Sequence, residues 1–147
     1  MKFNYAFQKV VDLKTNEKTQ AEWMLSAAIG VLQNEMSSLE QLVEDKRKLA
    51  AAIQEEAQKS SSCLKLQALQ QYSDHLERCI ALKSKDVDNA EQNVEKNKAH
   101  LSSRMLDEKV WLKAKDKALD AFRQQMLLRE QNELDEMATV RFAMRAR

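Results

Sequence analysis

The chain of 147 residues contains no proline, a single glycine (Gly30), 32% charged and 5% aromatic residues, and 24 basic against 23 acidic side chains. Average usage would give about 17 glycines and prolines at this length, so the many reversals of a sandwich, barrel or doubly wound sheet are excluded. Glycine-rich phosphate loops are excluded with them. What remains is a long-helix protein with a narrow apolar seam and a charged exterior.

No stretch approaches the roughly 18 apolar residues that cross a bilayer. The opening MKFNYAFQKVVDLK has no apolar block of the secretory type, so a cytosolic protein with reduced thiols is expected. Cys63 and Cys79, on one expected helix, would lie about 24 Å apart, beyond disulfide reach.

A first helix is expected over about residues 3–59. From Leu25 its apolar residues recur at alternating spacings of four and three: Leu25, Ile29, Leu32, Met36, Leu39, Val43, Lys46, Ala50, Ile53 and Ala57. A pattern sustained this long marks a coiled coil, and Lys46 can extend its charge out of the seam. Upstream, Phe3, Phe7, Val11 and Ala21 continue the stripe, interrupted by Lys14 and Lys18. Three consecutive serines, Ser60 to Ser62, suit a reversal at about residues 60–63, because serine caps helices better than it fills them. A single unbroken helix is the alternative.

The second helix is expected over about residues 64–140. Its seam is Leu66, Leu69, Ser73, Leu76, Ile80, Lys83, Val87, Ala90, Val94, Asn97 and Leu101. A phase shift near Met105 then leads through Leu112, Leu119, Phe122 and Met126. Folding back at the serines sets Ile53 near Leu69, Leu39 near Lys83 and Leu32 near Ala90. The expected fold is all-α: one domain over residues 1–147, a long two-helix antiparallel coiled-coil hairpin. Beyond residue 120 the second helix would overhang, carrying Phe122, Met126, Leu127, Leu128, Leu134, Met137, Val140, Phe142 and Met144. Apolar residues on an unpaired helix imply self-association or a partner protein.

Chemistry-bearing groups are sparse. His75 and His100 would lie about 37 Å apart on one helix and cannot share a task. His75 and Cys79 share a face, but nothing nearby completes a metal set; no metal, cofactor or catalytic residue is expected. Carboxylate pairs such as Glu55–Glu56 read as solvated faces, since catalytic carboxylates need a pocket. Residues 1–20 hold four lysines against two acids, and residues 104–117 five basic residues against three. That excess is too small for a phosphate grip, so nucleic acid is not an expected partner. The end of the chain is polarised: Glu130, Glu133, Asp135 and Glu136 precede Arg141, Arg145 and Arg147. This suits the helix macrodipole and also a docking helix.

Three segments resemble one family. Phe3-x3-Phe7-Gln8-Lys9-Val10-Val11-Asp12-Leu13-Lys14 is similar to the start of FliJ proteins, small coiled-coil components of the bacterial flagellar type III export apparatus. Gln70-Gln71-Tyr72 with Leu76-Glu77 and Ile80 resembles that family's stretch after the turn. Leu134-Asp135-Glu136-x-Ala138, with Arg141 and Met144-Arg145, resembles its C-terminal motif. The resemblance implies a non-enzymatic, stalk-like hairpin at the cytoplasmic face of the cell membrane. Implied partners are the hexameric export ATPase, the export-gate membrane protein and substrate-specific export chaperones. It implies a gate contact at Tyr72, Leu76, Cys79 and Lys83, whose spacing keeps them on one face. It also implies an ATPase contact near the termini, at Phe7, Val11, Phe122, Met126, Leu134, Asp135 and Met137. The competing readings are a self-associating scaffold and the equivalent stalk of a virulence secretion system.

Overall fold

The computed structural model describes residues 2–59 and 62–146. Two helices account for nearly all of them: α1 (Gln8–Gln58, 51 residues) and α2 (Cys63–Arg145, 83 residues), with no strand among the described residues. Both are built from strong helix formers, and α2 contains neither glycine nor proline. The expected fold class, two long helices packed antiparallel against each other, is the one observed. Ser60 and Ser61, at the centre of the expected reversal, lie outside the described residues. Ser62 caps α2: its Oγ accepts from the Lys65 backbone N–H at 3.3 Å, and its carbonyl accepts from Lys65 and Leu66.

The contacts group the chain into two compact units, Gln20–Ser102 and Met1–Thr19 with Ser103–Arg147. In the first, the buried residues are Ala21, Ala28, Leu76, Val87, Ala90 and Val94. The α2 seam from Leu66 to Leu101 follows the expected positions, all half-buried or buried. Lys83 Nζ donates to Glu35 Oε2 at 3.0 Å, and Lys46 Nζ to Glu77 Oε1 at 2.8 Å. These pairs keep the register expected for the hairpin.

The α1 seam differs at every second position. Leu25, Leu32, Leu39, Lys46 and Ile53 face α2 as expected, but between them lie Ala28, Glu35, Leu42, Leu49 and Glu56. Ile29, Met36, Val43, Ala50 and Ala57 sit one residue further round and are exposed. The reason is electrostatic as much as steric. Glu35 and Glu56 find lysine partners on α2, Lys83 and Lys65, and Leu42 and Leu49 fill more seam than Val43 and Ala50.

In the second unit Val11 is the buried hydrophobic residue. Charged residues take seam positions here: Lys18 pairs with Glu108 at 3.1 Å and Glu17 with Arg104 at 3.0 Å. The α2 seam keeps its phase through Arg104, Glu108, Trp111, Lys115, Ala118 and Phe122, all half-buried. Of the positions expected around a shift near Met105, Met105 and Leu112 are exposed, whereas Leu119, Phe122 and Met126 are half-buried. Residues 2–7 precede α1, which starts at Gln8 rather than near residue 3. The alternation Phe3-x-Tyr5 half-buries both rings, with Phe3 on Phe122 at 5.4 Å between centroids and Phe7 on Trp111 at 6.0 Å. A helical turn would set Phe3 and Tyr5 on opposing sides and forfeit these contacts.

Candidate functional surfaces

Two surfaces follow from this packing. The first is the strip Tyr72, Leu76, Cys79 and Lys83 on α2, all within Gln20–Ser102. Tyr72 is exposed and lies against the His75 ring, with centroids 6.3 Å apart. Cys79 is half-buried, its Sγ 3.6 Å from His75 Nε2. Leu76, 4% exposed, points into the seam. Lys83 is held by Glu35 and, at 3.8 Å, by Asp86. The hydrogen bond to Glu35, reinforced by its charge, raises the Lys83 pKa. The strip therefore divides: Tyr72 and Cys79 look outward, while Leu76 and Lys83 hold α2 to α1. Among the described residues no three His, Cys, Asp or Glu side chains gather into a metal site.

The second surface is terminal. Phe7 is exposed beside Tyr5 and Trp111. Val11, at 4% exposure, faces α2 and offers nothing to a partner. Phe122 is covered by Phe3, so the uncovered part of α2 begins after Met126 rather than at residue 120. From Leu127 to Ala146 every described residue is exposed, including Leu127, Leu128, Leu134, Met137, Val140, Phe142 and Met144. Asp135 works within the helix: its carbonyl accepts from Thr139 Oγ1 at 2.8 Å and its carboxylate from Gln131 Nε2 at 3.4 Å. Met137 and Val140 line an open groove with Glu133, Glu136 and Arg141. Trp111 and Tyr5 complete this aromatic cluster, and the heptad pattern does not reveal them. The alternation of Phe3, Tyr5 and Phe7 was the available signal, because period two is extended chain rather than helix.

No helix among the described residues is long and apolar enough to cross a membrane. The model of the flagellar FliJ protein family matches residues 2–147. Neither curated proteins nor solved structures give a match.

Proposed function

The chain belongs to the flagellar FliJ protein family and is thus a component of the flagellar type III export apparatus, and from that premise we propose that it is a non-enzymatic docking hairpin for the export ATPase. The observation that carries this is the run of uncovered apolar side chains from Leu127 to Met144 on a helix whose earlier part is paired. Transferring such surface into a partner gains about 25 cal/mol per Å². Leu134, Met137 and the neighbouring Asp135, with Phe7, form the ATPase contact, and the half-buried Phe122 and Met126 support it from the paired part of α2. Val11 contributes by holding α1 to α2 beneath it. A second contact, to the export-gate membrane protein, uses Tyr72 and Cys79, with Leu76 and Lys83 fixing their position. Export chaperones complete the partner set, and the protein works at the cytoplasmic face of the membrane through these partners.

The test is a paired measurement of export ATPase binding and turnover. The Leu134→Gln/Met137→Gln double variant should keep its fold by circular dichroism and lose both binding and stimulation. Full stimulation by that variant refutes the assignment of the tail. Tyr72→Ala should weaken gate binding and leave ATPase stimulation unchanged.

A further inference from the structure

The tail of α2 carries a row whose chemistry mirrors itself end to end. Leu127, Glu130, Leu134, Met137, Arg141 and Met144 recur at spacings of three, four, three, four and three, the pattern of a coiled-coil seam. All six are exposed. The row lies one residue round from Met126, beside the column on which Phe122 meets Phe3. Read in order it is apolar, acidic, apolar, apolar, basic, apolar.

The two charges cannot serve each other within one helix, because Glu130 and Arg141 lie about 16 Å apart along it. No residue three or four positions from Glu130 is basic, and none at those positions from Arg141 is acidic. Helical ion pairs are thus denied to both, and neither has an ion-pair partner among the described residues. The macrodipole accounts for arginines near the end of α2 but not for an acid at position 130.

A second copy laid antiparallel satisfies the whole row. Leu127 then faces Met144 of the second copy, Glu130 faces Arg141, and Leu134 faces Met137, and two-fold symmetry repeats each contact in reverse. Every layer is apolar on apolar or acid on arginine. A parallel pair instead sets Glu130 against Glu130 and Arg141 against Arg141, which like-charge repulsion disfavours. An antiparallel slip of one heptad puts Arg141 opposite Met137 and leaves its charge unpaired, at a cost.

We propose that this row docks a second copy of the chain, tail to tail and antiparallel, about a two-fold axis between Leu134 and Met137. A seam of fewer than three heptads makes a weak pair, so the dilute chain is monomeric with a bare tail and the dimer forms as concentration rises. Leu134 and Met137 also belong to the proposed ATPase contact; on that reading, and only on it, dimer and ATPase exclude each other.

Sedimentation equilibrium of the full chain, with no ATPase present, tests the pairing. The average mass should climb from 17.0 kDa toward twice that value between about 10 μM and 1 mM. Glu130→Arg and Arg141→Glu, each folded by circular dichroism, should each weaken the dimer by about tenfold or more, and Glu130→Arg/Arg141→Glu should restore it. In methyl NMR over the same range, Leu127, Leu134, Met137 and Met144 should shift, while Leu128, on the far side of the helix, stays unchanged. A chain still monomeric at the top of that range, single swaps without effect, or a double swap that fails to recover overturns the proposal. So do shifts centred on Ile29, Met36 and Val43, which would place the contact on α1.

Discussion

Between Gln20 and Ser102 the two helices meet through Ala21, Ala28, Leu76, Val87, Ala90 and Val94. In the other unit the same spacing sets Lys18 against Glu108 and Glu17 against Arg104, with Val11 as the buried hydrophobic residue. Both units carry interhelix ion pairs, among them Glu35–Lys83 and Lys46–Glu77 in the first. They differ in the buried apolar residues beside those pairs, six in the first unit against Val11 in the second among the described residues. Buried apolar surface stabilises regardless of ionic strength, whereas part-exposed ion pairs contribute little each and are screened by salt. The unit with the smaller buried core is therefore the more easily opened of the two, and it also carries the uncovered tail.

Leu76→Ala should have the largest effect, about 2–5 kcal/mol of lost stability, because it leaves a void among packed neighbours. Denaturant unfolding measures it; a loss comparable to that of a surface change would break the distinction between the units. Glu108→Ala should cost about 1–2 kcal/mol, since it strands the part-buried Lys18, while Lys18→Leu/Glu108→Leu should be neutral or stabilising. A double variant as weak as the single would show that the charges are required. Gly30→Ala should stabilise by about 0.5–1 kcal/mol, because a Cβ there meets nothing within 4 Å.

How far the sequence disclosed this depends on what fills the seam. Where α2 offers Leu66 to Leu101 in strict alternation, the seam positions are legible directly. On α1, Ile29, Met36 and Val43 outrank Ala28, Glu35 and Leu42 in combined hydrophobicity, so a one-helix reading favours the wrong column. Only the facing Lys83 explains Glu35, and that information lies 48 residues away. Beyond Leu101, Arg104 and Glu108 hide an unbroken heptad phase for the same reason. Of the two candidate surfaces, the tail was legible from its apolar excess. That Leu76 and Val11 turn inward required the packing.

A smaller effect follows from pH. The hydrogen bond from Lys46, reinforced by its charge, lowers the Glu77 pKa. The pair therefore stabilises the fold above the ordinary carboxylate range, and this contribution is lost as pH falls through the lowered value. The raised pKa of Lys83 acts oppositely: its contribution holds below the ordinary lysine range and is lost as pH rises through the raised value. Glu77→Gln should flatten the acid limb of Tm against pH and leave the alkaline limb intact. Smallest of all, Leu134→Gln should change stability by no more than about 0.5 kcal/mol, consistent with a side chain that packs on nothing in the free protein.

Hydrogen exchange with and without the export ATPase tests the account most directly. A helix lacking tertiary cover is marginal in water, so amides 127–146 should exchange quickly in the free chain and become protected on adding the hexamer, while those near Leu76 and Val94 stay slow throughout. A tail already slow in the free chain, or one left unprotected by the ATPase, would contradict it.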